Sequence, residues 1–151
     1  MAGSTSSTFN TVVDSVITRL ATATTIGVAS SNIYERDESP AIPANEGRLP
    51  AIYVIPLVEG KDVIDMTMGF PEVGFHSFPI NIVAYYEMPD VSGSLRTVRN
   101  YAYNAYDVFL NGWQSLGYGE ITGMTVEVGY NVVVDKIIHY WILVLNIKSL
   151  F

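Results

Sequence analysis

The chain closes with VDKIIHYWILVLNIKSLF, and this run constrains the fold more than any other stretch. Successive side chains of a strand point to opposite sides of its sheet, so a strand with one solvated face alternates apolar and polar residues. Here Ile137, His139, Trp141, Leu143, Leu145 and Ile147 form one row. Ile138, Tyr140, Ile142, Val144, Asn146 and Lys148 form the other, which is apolar for its first four positions. Both faces therefore need cover. A membrane-spanning helix needs about 20 consecutive apolar residues, whereas this run ends at Ile147 and is interrupted by His139 and Asn146. Two arrangements remain: a central strand covered on both sides by its own chain, or a strand whose second face meets another copy.

Composition leans towards the second arrangement. Only 15% of the residues are charged, against about 25% in ordinary globular domains, so a small monomer has little polar side chain with which to cover itself. Ten tyrosines and two tryptophans are of the type enriched in interface cores, although tyrosine is also a common strand residue. The 151 residues fit a single domain, 1–151, that buries about two-thirds of its unfolded surface. The opening MAGSTSSTFN has neither a basic nor an apolar segment of the kind that begins a secretory signal. A net charge of −7 with eight scattered Lys and Arg residues excludes phosphate-backbone binding as the main activity. The absence of cysteine removes disulfides, thiolate metal sites and a Cys nucleophile, and fits a reducing compartment.

Residues 1–8 are Ser/Thr-rich and read as a flexible lead-in, with Ser7 or Thr8 as an N-cap. Phe9, Val12, Val13, Val16, Ile17 and Leu20 then recur at helical spacing, which predicts an amphipathic helix. SSNIYERDESPAIPANEGR reads as an extended loop, LPAIYVIPLV as a strand whose Pro56 marks an edge or end, and EGKDVIDMTMGFPEVGFHSF as a hairpin with a Gly/Pro tip. PINIVAYYE is the return strand. A second helix starts near Ser94, with Leu95, Val98, Ala102, Ala105, Tyr106 and Phe109 on one stripe and Gly112 at its end. QSLGYGEITG reads as a loop, and MTVEVGYNVVVDKIIHYWILVLNIKSLF as one or two strands with a bulge or turn between Gly129 and Asp135. The expected fold class is α+β: a two-layer domain with an antiparallel or mixed sheet of about four to five strands and two main helices packed on one face.

Motifs for chemistry are missing. The two histidines, His76 and His139, lack any HxH or HExxH spacing. His139 fits a structural place inside a strand and His76 a loop or interface, with catalysis at either as the sharper reading. No G-x-S-x-G elbow or P-loop occurs, and Gly117-Tyr118-Gly119 lacks the third glycine and following helix of a dinucleotide loop. Glu35, Asp37 and Glu38 are interrupted by Arg36 and lack EF-hand spacing, so they read as solvated loop charges before a cation site. No enzyme, metal or cofactor is expected.

The succession FNTVVDSVITRLA, RLPAIYVIPLVEG, a long hairpin, a strand ending YYE, SLRTVRNYAYNAYDVFLNGW and VEVGYNVVVDKIIHYWILVLNIK resembles the tail terminator (tail completion) proteins of long-tailed bacteriophages, and more loosely their neighbouring head-to-tail neck proteins. The resemblance covers nearly the whole chain and rests on element order, size and texture. It implies a structural virion protein of the tail-neck region, assembled in the bacterial cytoplasm as a homo-oligomeric six-fold ring. Such a ring caps the tail tube protein, stops tail elongation and meets the head connector proteins, while DNA passes through without specific binding. No catalytic residues come with the resemblance, and no membrane is involved. In such a ring, Trp141, Leu143, Tyr140, Ile142, Phe70, Phe75 and His76 are candidates for subunit or ring interfaces. Glu35, Asp37, Glu38, Asp62, Asp65 and Glu72 are candidates for acids facing the channel, where negative walls repel phosphate; plain solvated loop charges are the simpler reading. Two other classes stay open: a small-molecule or peptide-binding module built on the tyrosine-rich helix and the hairpin, and a small enzyme using His76 or His139.

Overall fold

The computed structural model describes residues 5–36, 49–56, 65–68, 74–88, 92–112, 116, 119–133 and 136–150; for residues 5–8, 65–68, 74–75, 92, 133 and 150 it gives the backbone alone. The elements are α1 (Thr5–Thr22), β1 (Ile33–Glu35), β2 (Ala51–Ile55), β3 (Asp65–Met68), β4 (Gly74–Glu87), α2 (Ser92–Leu110), β5 (Gly119–Val133) and β6 (Lys136–Leu150). The strands form one mixed sheet in the order β1-β2-β4-β6-β5, with β3 paired to the start of β4. Only β1 and β2 run parallel; the remaining pairs are antiparallel. This is the α+β fold with two helices on a sheet.

The helices form where the apolar spacing predicts them. Val12, Val13, Val16 and Leu20 of α1 and Val98, Ala102, Ala105 and Phe109 of α2 are buried together against one sheet face. That face is built from Ile52 and Val54 of β2, Phe78, Ile80, Ile82, Ala84 and Tyr86 of β4, and Trp141, Leu143, Leu145 and Ile147 of β6. Phe9 packs its ring 4.8 Å from that of Phe78. Arg19 of α1 donates from Nη1 to the Gly112 carbonyl at the end of α2. A cation there complements the negative end of the helix dipole.

Several boundaries differ from the sequence expectation. The first helix begins at Thr5, because Ser and Thr carry no apolar period that would announce a turn already formed. The second begins at Ser92, slightly before the expected Ser94. Ile33–Glu35, read as loop, is a strand held by parallel pairing with Ile52–Val54, a tertiary partner that no local pattern reveals. The hairpin is present as β3 against β4, with Asp65 opposite Ser77 and Met68 opposite Gly74. Its return arm continues without a break to Glu87. Pro79 lies between the stretches of β4 that pair with β3 and with β2, where a residue without an N–H removes no ladder bond on that side. The last region is two strands, and the first starts at Gly119 rather than Met124, with a bulge between Ile121 and Gly123.

Candidate assembly surfaces

The two rows of β6 have different fates. Trp141 and Leu143 are fully buried under the chain's own helices, and His139 is fully buried as well. The expectation that Trp141 and Leu143 lie at a subunit interface is therefore corrected: no surface of either side chain is left for a neighbour. Trp141 Nε1 donates to the Tyr86 hydroxyl at 2.9 Å, and that hydroxyl donates to the Ile26 carbonyl at 2.6 Å. Both amphipathic aromatics thus satisfy their polar atoms inside the core, as burial requires. His139 packs its ring 5.8 Å from Tyr130.

Tyr140 and Ile142 point away from the helices and are half-buried. Around them the sheet carries a second apolar cluster of Ala51, Tyr53, Ile55 and Val83, packed by Tyr34, Leu49, Tyr85 and Ile142. Its aromatics form a band across the strands. Tyr34 stacks on Tyr53 at 5.8 Å, Tyr53 meets Tyr85 at 5.9 Å, and Tyr85 sits opposite Tyr140 in the β4–β6 ladder. The band ends on Gly129, where a Cβ would lie 2.6 Å from the Tyr140 hydroxyl; the glycine leaves room for the ring to lie across the strand. At the other end Arg36 lies 4.7 Å from the Tyr34 ring centroid, a cation–π contact. Beyond the band, Asn81, Thr125, Glu127 and Asn131 make the same sheet face polar.

A third surface was not foreseen. All the large hydrophobic residues that are exposed among the described residues, Tyr103, Leu110, Tyr130 and Val132, lie on α2 or β5. On the helix side of β5 the row Ile121, Met124, Val126, Val128, Tyr130, Val132 is apolar throughout and passes from buried to 67% exposed at Val132. Tyr106 and Leu110 of α2 and Ile121, Thr122, Gly123 and Met124 of β5 line an open hollow of about 390 Å³. The alternation in MTVEVGYNVV carries the signal for this row, but only the strand order shows that β5 lies at the sheet's edge among the described residues.

The other candidate residues are dispersed. His76 is half-buried on β4, opposite Met66 and Ser149. Phe75 and Asp65 lie in β4 and β3, in the paired part of the hairpin. Glu35 is exposed at the end of β1, where Arg36 Nη1 donates to its carbonyl at 3.0 Å. Phe70, Asp37, Glu38, Asp62 and Glu72 lie outside the described residues. Among the described residues no three of His, Asp and Glu converge on a point that could hold a metal ion, and no helix is long and apolar enough to cross a membrane.

Among the described residues three features stand out: the half-buried tyrosines Tyr34, Tyr85 and Tyr140 around the buried Tyr53, the β3–β4 hairpin, and β5, which ends the strand order beside an apolar row. Compared with known proteins, the chain matches no family model and no curated protein sequence.

Proposed function

We propose that this chain is a structural virion protein that assembles as a ring on the tail tube of a long-tailed bacteriophage, ends its elongation and joins the tail to the head connector. The observation that carries the proposal is the second apolar layer. On the sheet face away from the helices, Ala51, Tyr53, Ile55 and Val83 are already buried within the chain. The half-buried Tyr34, Tyr85, Tyr140 and Ile142 around them are the part of this layer left to meet a neighbour, in a chain with few charges to spare. In a closed ring each subunit presents one patch to a different patch on the next. The aromatic band and the β3–β4 hairpin are two such patches, and Tyr140, Ile142, Phe75 and His76 belong to them. The element order also supports the reading, since a helix, a hairpin, an aromatic-bearing helix and a closing strand pair are what the resemblance to tail terminators rests on. Six-fold symmetry, the neck location, passage of DNA past acidic side chains such as Glu35 and Asp65, and the tube and connector partners enter through that resemblance.

The experiment is native mass by light scattering, followed by negative-stain imaging of the protein alone and with purified tail tubes. Rings, or density capping tube ends, are the expected result. A monomer that ignores tube ends would sink the ring. It would leave a peptide-binding module as the better reading, which the hollow between α2 and β5 favours.

A further inference from the structure

An open strand edge has a defined appetite, because alternate backbone N–H and C=O groups face outwards and only another extended chain satisfies them in register. Folded proteins blunt such edges with prolines, lysines, repeated bulges or short length. Among the described residues, the outer edge of β5 uses almost none of these. Among the described residues β5 ends the strand order. After its single bulge at Ile121/Gly123, the stretch from Gly123 to Val133 pairs regularly with β6, with no further bulge. That stretch contains no Pro, Lys or Arg.

We propose that this edge is a strand-addition site for an extended segment of a partner protein, in which apolar residues alternate with Lys or Arg. The two sides of β5 set this chemistry. On the helix side, an added strand places every second residue beside Met124, Val126, Val128 and Tyr130, under the outer flank of α2. A large apolar side chain fills the hollow lined by Tyr106, Leu110 and Met124. On the opposite side its alternate residues lie beside Thr125, Glu127 and Asn131. Glu127 is exposed and sits across from Ile142, whereas Glu120 already has Lys148 across from it. Acids predominate around the edge: from Asn100 to Asp135 the chain has no Lys or Arg and carries Asp107, Glu120, Glu127 and Asp135, while Lys136, opposite Val133, lies 3.8 Å from Glu87. Arg96 and Arg99 stand on the first half of α2, outside the β5 row. A basic partner strand is therefore attracted and an acidic one repelled.

A second copy of this chain is a poor occupant. Its other described outer strands, β1 and β3, are three and four residues long. Pairing β5 with its own copy would bring the Glu127 side chains of both copies onto one face in a chain of net charge −7. The inference does not depend on the ring, because the edge is distinct from the aromatic band and from the β3–β4 hairpin.

The test uses the full chain and a capped ten-residue peptide in which leucine and valine alternate with lysine. Binding is followed by fluorescence anisotropy, and amide hydrogen exchange is measured across Gly123–Val133. Slowed exchange confined to that stretch is expected. N-methylation of alternate peptide amides, which removes the donors along one peptide edge, and Glu127→Lys in the protein should each weaken binding by about tenfold or more. Three results would overturn the proposal: no slowing at saturating peptide, equal binding of both N-methylated registers and the parent, or exchange at β5 that is already slow without peptide and quickens on dilution. The last would assign the edge to a second copy. Native mass on the same samples reports the ring separately, so the two readings can fail independently.

Discussion

Tyr86 ties β4 to three other parts of the chain: its hydroxyl accepts from Trp141 on β6 and donates to Ile26 after α1, and its ring stacks 5.2 Å from Tyr101 on α2. Phenylalanine at this position would leave the indole N–H and the Ile26 carbonyl without their partner, so Tyr86→Phe should cost about 1–3 kcal/mol in urea unfolding. Combined with Trp141→Phe, the loss should fall short of the sum of the single losses, since both changes break one network. Burial pushes the Tyr86 phenol above the ordinary tyrosine range; the bond from Trp141 opposes the rise, and Tyr101 adds to it. The sign follows from which state releases its proton first. The unfolded chain does so near pH 10, while the folded chain holds on, so this contribution is complete below that pH and is lost as pH climbs past it. Wild-type stability should fall more steeply above pH 10 than that of Tyr86→Phe, and equal slopes would remove Tyr86 as the cause. Next to this network, Gly27 has φ +70°, and a Cβ there would meet the Tyr101 ring at 2.6 Å. Gly27→Ala combines left-handed strain with a clash, and a loss of at least about 1–2 kcal/mol is expected.

Among the elements, the helices were the most legible, because the 3.6-residue period of Val12, Val13, Val16 and Leu20, and of Val98, Ala102, Ala105 and Phe109, is written in local spacing. Their mutual docking was not. Arg19 reads as an ordinary polar residue in the helix pattern, yet its guanidinium closes the C-terminal end of α2 at Gly112, 93 positions away in the chain. A Cβ at Gly112 would strike that guanidinium. Arg19→Met should cost about 1–2 kcal/mol by thermal unfolding, as expected for a charge-assisted bond at a helix end. Arg19→Lys should recover only part of the loss, because an ammonium lacks the planar fork; full recovery would show that charge alone suffices. Strands were legible in proportion to the pattern each carries by itself. β2 and the later part of β4 announce themselves through runs of apolar residues. β1 is three residues long and exists through its pairing with β2. The start of β5 is hidden by Gly119 and Gly123, residues that locally signal a turn. For β6 both rows are apolar, so spacing cannot say which is core. The answer depends on where the helices sit, a property of the packed molecule. For the same reason the sequence placed Trp141 and Leu143 at an interface when they belong to the interior.

At the scale of the whole molecule, adjacent residues Ile142 and Leu143 belong to different apolar layers, so a change at each tests a different property. Leu143 is fully buried in the helix-side core, and Ile142 packs half-exposed against the second cluster. An acid at Leu143 must either desolvate a charge or open the core. Leu143→Asp should therefore abolish the folded subunit, with a loss above about 4 kcal/mol visible as lost near-ultraviolet circular dichroism. Ile142→Thr removes apolar surface from the other face without entering that core. Its monomer should remain folded, with a cost of about 1–2 kcal/mol. If neighbouring subunits meet on the aromatic band, the same change should shift the assembly towards smaller mass, and the concentration dependence of Tm that an oligomer confers should weaken with it. Light scattering of the two variants beside wild type makes the comparison. An Ile142→Thr protein that forms wild-type rings would take the aromatic band out of the interface and leave the β3–β4 hairpin as the contact to test. Folded monomers that no longer associate would place the ring contact on the face that neither helix covers, and the second apolar row of the closing strand would then have its cover.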